Sequence, residues 1–420
     1  MSNLLERFFN DEFYKLIQKI GFAFLIINIV LFPTFSYLTN IFFLVICNFF
    51  EYSTLFFVAY STIFHILRKD ILNSIFRPFC IFAFFILYSL LSTFLTAGFS
   101  FLIFKEIIKM ITCGCFLYLT LDTVNTSKRV NFLLIAFFFS ILIMFASTFI
   151  YNINSLENIK EAFVGGKYRF GTKENQSNGY AVYCVLCIFS LILCFIKTRK
   201  LYYIFLIIIP AVFCVGTQSK KGIILCFLLI IFSIYKLIEF LIKNKTFRLI
   251  VFFASIVLLL TGIVLLSIKL NIFKRFINVL NGTDASTSGR ADMFKYAFFD
   301  SSKCLFLGHG LGTFSKDFYR YSGTMLTFHS SLGYTFYSSG LVGLTIWICF
   351  VVLLFRKNKP KGRYFGLILL FELFLPFNDL TMQIWSQEIL FVFTGLFSYL
   401  SEISFKEREN ILSYYSDIAI

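Results

Sequence analysis

The chain has 420 residues, 59% hydrophobic and only 14% charged, with 62 phenylalanines, a mean hydropathy of +0.83 and a formal net charge of +16. Soluble domains carry about 25% charged residues, whereas here apolar runs of about 17–25 residues, long enough to cross roughly 30 Å of hydrocarbon, recur along the whole length. These features exclude a soluble globular fold and predict an all-α, polytopic membrane protein, a single membrane domain over 1–420, with no nucleic-acid partner.

The N-terminal stretch MSNLLERFFNDEFYKLIQK is charged and amphipathic, and no small-residue cleavage site follows the first apolar run. That run, near 18–38, is expected to be a retained helix. Further spans fall near 40–66, 78–97, 103–121, 131–151, 178–196, 201–218, 222–242, 248–267, 331–355, 364–382 and 385–402, twelve in all. With the N-terminus inside, alternate turns carry Arg68/Lys69/Arg77, Lys128/Arg129, Lys197/Arg199/Lys200, Lys243/Lys245/Arg248 and the basic run from Arg356 to Arg363. The short turns near 39, 98 and 383 carry no basic residue, so the bias of Lys and Arg predicts that both termini are cytoplasmic.

Three outer regions break this rule: 152–177, the turn at 218–222 with Lys220 and Lys221, and the long segment 268–330. Their basic residues outnumber their acidic ones. Such an excess close to the bilayer suits an anionic substrate group, and it equally suits lipid head groups. The eleven cysteines fall mostly within spans, where cysteine acts as a small hydrophobe; no histidine lies nearby to complete a zinc set, and no metal site is expected.

Within 268–330, KLNIFKRFINVL alternates basic and bulky apolar residues in the manner of an interfacial helix. TDASTSG can cap a following helix, which is predicted to begin near Arg290. That position would put Arg290 in the first turn, where backbone N–H groups favour an anion and a guanidinium adds a bidentate grip on phosphate oxygens. GHGLGTF then places Gly308, Gly310 and Gly312 two apart; it is neither a P-loop nor a Rossmann turn, and by itself reads as a tight turn. His329 closes the segment at a water–membrane boundary. An isolated histidine there can be a snorkelling polar residue, or the group that takes a proton near neutral pH, with Ser330 beside it. His309 and His65 read as structural. Glu51, Glu372 and Glu388 are costly in hydrocarbon and should face a cavity or a partner, with Asp379 a further candidate. Glu106 and Lys109 stand at i, i+3 spacing.

Taken in order, YRFGTKENQSNGY (168–180), TQSKKG (217–222), SGRADMF (288–294), GHGLGTF (308–314) and FHSS…GLVG (328–343) resemble the elements of the O-antigen polymerase and O-antigen ligase superfamily, over roughly 165–343. The resemblance implies a metal-independent glycosyltransferase without cofactor. It would be a multi-pass protein of the bacterial inner membrane, with 152–177 as a periplasmic loop and 268–330 as a large periplasmic loop carrying part of the active site. The implied donor is an undecaprenyl-pyrophosphate-linked oligosaccharide. The acceptor is a sugar hydroxyl on another lipid-linked repeat for a polymerase, or on lipid A–core for a ligase. By position, Arg290 and Arg169 would bind the donor pyrophosphate. Lys220, where many relatives have arginine, and Lys221 would add charge. Asn178, Gly308 and Gly310 would contribute to substrate binding. His329 would orient or deprotonate the acceptor, and Ser330 stands where asparagine is commoner. The resemblance leaves room for a chain-length regulator and a flippase as partners. Polymerase is preferred because lysine follows Ser219 and no lipid A–core feature is legible. A lipid-linked sugar transporter is the alternative of another class; it predicts internal repeats, and no convincing one is found.

Overall fold

The computed structural model describes residues 10–35, 41–68, 76–98, 101–152, 162, 169–170, 177–270, 285–300, 304–324, 326, 328, 330–355, 364–375 and 388–401. Among them the structure is helical and contains no strand. In chain order the helices are α1 (Asp11–Phe35), α2 (Ile41–Leu67), α3 (Phe76–Thr96), α4 (Phe101–Thr123), α5 (Ser127–Asn152), α6 (Ser177–Thr198), α7 (Tyr202–Leu206) and α8 (Ile208–Gly216). They continue as α9 (Lys220–Leu241), α10 (Lys245–Leu270), α11 (Ala285–Lys295), α12 (Phe314–Ser322), α13 (Ser331–Phe355), α14 (Phe365–Phe374) and α15 (Glu388–Ser401).

Among the described residues, seven stretches are long and apolar enough to cross a membrane, in α1, α3, α5, α6, α9, α10 and α13. In α10 none of the apolar window Lys245–Gly262 is buried, and Leu258 is 73% exposed. A helix that is apolar all round and touches protein, here α9, along one side only is at home in lipid. The polar groups go the opposite way: Glu51, Ser61, Ser89, Ser92, Thr93, Asp122 and Glu388 are buried. This inversion is what a multi-pass membrane protein requires.

In the predicted span 201–218 the helical hydrogen bonding is interrupted at Ile207, between α7 and α8, while its backbone stays helical (φ −59°, ψ −28°) and Tyr202–Gly216 runs on as one apolar helix. The cause is Pro210, whose ring occupies the place of the i−4 carbonyl and which donates no N–H. The span at 331–355 also departs from expectation. It is kinked at Gly340, where φ is 65° and ψ −166°, so α13 is two helical pieces joined end to end.

The chain divides into two compact units, residues 1–130 with 289–420, and residues 131–288. In the first, α13 packs along α3, and α4 packs against α1, α2 and α3. Small residues let α3 and α13 approach closely, and the Ser339 hydroxyl donates to Ser89 Oγ at 2.9 Å. Lipid supplies no hydrophobic drive between helices, so close packing and such hydroxyl bonds hold them together. One end of α1, α2 and α4 is joined by a polar network. Asp122 accepts from Tyr14 Oη, from Ser61 Oγ at 3.1 Å and from Gln18 Nε2 at 3.0 Å. His65 Nε2 lies 3.0 Å from Tyr14 Oη, and Tyr118 Oη 2.9 Å from Ser61 Oγ. The structural expectation for His65 thus becomes specific: it helps bind three helices at one level. Asp122→Ala removes the shared acceptor and is expected to cost on the order of 3 kcal/mol, the upper value for hydrogen bonds to a charged group. Thermal unfolding in detergent checks it, with Asp122→Asn expected to fall between.

In the second unit α6 is buried along nearly its whole length and packs against α7, α8 and α9. Gly222 permits this at the start of α9: a Cβ there would stand 2.7 Å from Ala181 Cβ.

Candidate functional site

The second unit assembles one group of basic residues. Arg169 and Phe170 are pinned to the end of α8: the Phe170 N–H donates to the Gly216 carbonyl at 2.9 Å, and Arg169 Nε to the Thr217 carbonyl at 2.9 Å. The Phe170 ring occupies the space beside Gly216, where a Cβ would meet it at 2.3 Å. The chain then turns through Gln218, which has a positive φ of 52°. A non-glycine residue in that region stores about 1–3 kcal/mol of strain. Here it is held by the Gln218 amide, which donates to the Ala162 carbonyl at 3.2 Å, and by Ser219, whose N–H donates to Thr217 Oγ1 at 3.1 Å. Ser219 caps α9 by accepting from the Gly222 N–H. Lys220 and Lys221 are therefore the first two residues of α9, at the positive end of its dipole. Two sequence elements, joined by a bond between residues 48 positions apart, thus place Arg169, Lys220 and Lys221 around one helix start. Asn178 lies in the first turn of α6, one turn before the Ala181 that touches Gly222.

The first unit holds the other candidates. Gly308, Gly310 and Gly312 all have positive φ (77°, 92° and 73°), a conformation that suits glycine. The loop they form is docked backbone to backbone on the kink in α13. The His309 N–H donates to the Tyr337 carbonyl at 2.7 Å, Gly310 N–H to the Ser338 carbonyl at 2.9 Å, and Leu341 N–H to the Leu305 carbonyl at 2.8 Å. Its other side meets α3: Tyr88 donates to the Phe306 carbonyl at 3.0 Å, Ser92 to the Leu307 carbonyl, and the Leu311 N–H donates to Thr93 Oγ1 at 2.9 Å. The loop is thus a structural junction, more than the plain turn its sequence suggests. His309 stacks on Tyr337 at 4.7 Å between ring centres, in keeping with a structural part.

α11 begins at Ala285, so Arg290 lies in its second turn and not in the first as its position after TDASTSG suggested. The helix continues as a π-helical turn over Tyr296–Asp300, an irregularity frequent at functional sites. α11 is laid against the segment that leads to α13. Gly289 faces Leu326, whose Cδ1 would lie 3.4 Å from a Cβ at that glycine, and Phe294 meets Phe328 edge-on at 5.0 Å. Phe328 is also fixed by Phe314 and by Gly333, where a Cβ would strike its ring. Ser330 is buried, and its carbonyl accepts from the Tyr334 N–H at 2.9 Å. His329 itself lies outside the described residues, as do Asp379 and most of 152–177. The element bearing Arg290 and the residues flanking position 329 are nonetheless side by side.

Two acidic groups were not singled out as site residues from the sequence. Glu106 accepts from the Tyr334 hydroxyl, which also receives the Gly312 N–H at 3.3 Å. Asp317 accepts from the Tyr337 hydroxyl at 2.8 Å. The i, i+3 spacing of Tyr334 and Tyr337 was a readable signal that two hydroxyls share a face. Glu106 does not pair with Lys109 as the spacing suggested; Lys109 binds Glu51 and Glu388. On the exposed face of α3, Leu87, Leu90, Leu91, Thr93 and Phe94, with Gly98 and Ile103, border an open apolar hollow of about 370 Å³. The chain matches no known family model and no curated protein.

Proposed function

We propose that the protein is a glycosyltransferase of surface-polysaccharide assembly, an O-antigen polymerase acting at the periplasmic face of a bacterial inner membrane. In this reading it crosses the membrane twelve times with both termini cytoplasmic, and 268–330 is the large periplasmic loop. The observation that carries the reading is the packing of α11 on the segment around Phe328, through Gly289–Leu326 and Phe294–Phe328. Two parts of the motif set that are distant in the chain, the Arg290 element and the element around position 329, are neighbours. The gathering of Arg169, Lys220 and Lys221 at the start of α9 adds support.

The reaction follows from those groups. The acceptor hydroxyl oxygen bonds to the anomeric carbon of the donor, and the bond from that carbon to the pyrophosphate oxygen breaks, its electron pair leaving with the pyrophosphate. His329 takes the hydroxyl proton, a role worth roughly 10²–10⁴-fold. By the resemblance alone, Arg290 and Arg169 are the groups assigned to the charge gained by the leaving group, with Lys220 and Lys221 beside Arg169, so fixed cations would supply what a metal ion does. Asn178 and Ser330 contact sugar, while Gly308 and Gly310, expected from the resemblance to bind substrate, have their open faces filled by Gly340 and by Ala97 and Thr93 and act by shaping the loop. The open apolar hollow on the exposed face of α3 suits the polyprenyl stem. A chain-length regulator and a flippase are fitting partners.

The test is the surface-glycan profile of a deletion strain with its carrier-linked sugars. Lipid A–core capped by a single repeat is the expected result. Bare core with polymer held on the carrier would make the protein a ligase, and repeats trapped on the cytoplasmic side would make it a transporter. His329→Ala and Arg290→Ala, each at normal abundance, are expected to reproduce the deletion; wild-type glycan in both would remove these residues from the reaction.

A further inference from the structure

The face of α4 that carries Glu106 also carries, one turn further on, Lys109, whose Nζ lies 2.9 Å from Glu51 Oε1 on α2 and 2.8 Å from Glu388 Oε1 on α15. Glu51 and Glu388 are each 1% exposed, while the Lys109 side chain is 18% exposed. Two carboxylates around one ammonium leave a formal charge of −1 in a buried place. The geometry also shows where that charge would sit: the second oxygen of each carboxylate, Glu51 Oε2 and Glu388 Oε2, is buried and accepts no hydrogen bond among the described residues. A bare ionised oxygen away from water is strongly disfavoured, and a buried charge of this kind normally recruits a compensating cation or a proton.

Among the described residues, the surrounding helices bring no second cation into the cluster. Tyr52 on α2 and Cys113 on α4 are the other titratable groups within electrostatic reach, and neither carries positive charge. Lys105, a turn earlier on α4, is exposed. From α1 and α3, Tyr14 is engaged with Asp122 and Tyr88 with the Phe306 carbonyl, and Cys80 lies near Tyr118. α15 has no charged residue besides Glu388.

We propose that Glu51, Lys109 and Glu388 form a membrane-embedded proton site, in which one exchangeable proton resides on Oε2 of the glutamate pair. Binding converts one carboxylate to a carboxylic acid by forming a single O–H bond, and leaves a neutral cluster of one ammonium, one carboxylate and one acid. Losing the proton restores the charge of −1 between α2, α4 and α15, so the packing of these three helices responds to proton availability. Lys109 is the one partly exposed side chain of the three, and the opening beside it is the route by which the proton exchanges. This site is independent of the glycosyltransferase reading, since none of its residues has a part in that reaction.

The experiment is infrared spectroscopy of the full-length protein in lipid nanodiscs at neutral pH, in light and heavy water, on wild type, Glu51→Gln, Glu388→Gln and Lys109→Gln. The expected result is a carboxylic-acid C=O band that shifts in heavy water and is lost in each glutamate variant. In Lys109→Gln its intensity should double, because both acids then stay protonated. If the glutamate variants keep every acid band of the wild type, both groups are ionised and the proposal is overturned. Thermal unfolding in sodium chloride against choline chloride gives a second reading. Stabilisation by sodium alone, abolished in Glu388→Gln, would assign a metal cation and overturn the proton. Should a glutamine variant fail to assemble, carbon-13 labelling of glutamate side chains in the wild type reads the same titration by NMR.

Discussion

Arg169→Ala is expected to lower glycan assembly by about 10²–10³-fold, the loss typical of removing one preorganised donor from a developing charge. Arg169→Lys should recover only part of it. The side chain is positioned by its own ε-nitrogen, which donates to the Thr217 carbonyl at 2.9 Å. A lysine keeps the charge but has neither a nitrogen at that point of the chain nor a planar fork that matches phosphate. The bond from the charged guanidinium to the Thr217 carbonyl is itself worth about 1.5–3 kcal/mol, so activity is to be compared at equal amounts of folded protein. Assembly rates in membranes, normalised to protein, separate the two effects. Equal activity in wild type, lysine and alanine forms would take Arg169 out of the pyrophosphate site. A loss of abundance in parallel with activity would make it a brace for the turn into α9.

The glycines of the loop make a graded series in which stability changes most. Gly308→Ala places a Cβ 2.5 Å from the Gly340 nitrogen and 2.6 Å from the Ser338 carbonyl oxygen, on a residue with φ of 77°. Gly340→Ala is the reciprocal case, 2.3 Å from the Phe306 carbonyl oxygen at φ 65°. The atoms struck are backbone and cannot swing aside. Left-handed strain of about 1–2 kcal/mol adds to overpacking of about 1–3 kcal/mol. Each substitution is therefore expected to cost about 2–5 kcal/mol and to detach the loop from α13. Gly323→Ala has a similar φ, 70°, but open space around it, so only the strain remains. Gly262→Ala, with neither strain nor neighbour, should be neutral or stabilise by up to about 1 kcal/mol through helix propensity. Melting temperatures in one detergent test the order. A Gly308→Ala protein as stable as Gly323→Ala would mean the loop does not bear on the kink.

The same loop shows how local and distant information divide. In FHSSLGYTFYSSGLVG the small residues Ser338, Ser339, Gly340 and Gly343 read as part of an ordinary stretch of membrane helix, and helix does lie on both sides of Gly340. The break at Gly340 is imposed by Phe306 and Gly308, well before it in the chain, which press backbone against it. Pro210, in contrast, carries its own breaking chemistry, so the interruption of the span at 201–218 needed no partner.

Apolar windows, helix-breaking residues, the cap at Ser219 and the grouping of basic residues are properties of a few consecutive positions, set by bilayer thickness and backbone chemistry. The sequence by itself therefore determined that the chain is helical, lipid-facing and multi-pass, and that Lys220 and Lys221 are grouped between two apolar runs, while their place as the first residues of α9 came from the structure. Pairing across the chain lay beyond it. Lys109 and Glu388 are 279 positions apart, and nothing local says that Glu106 takes Tyr334 while Lys109 takes two glutamates. Only the tertiary structure decided those pairings. In a low-dielectric interior each buried charge must find its partner wherever the helices bring one, and which helices meet is fixed by packing of whole surfaces, not by the neighbours of any residue.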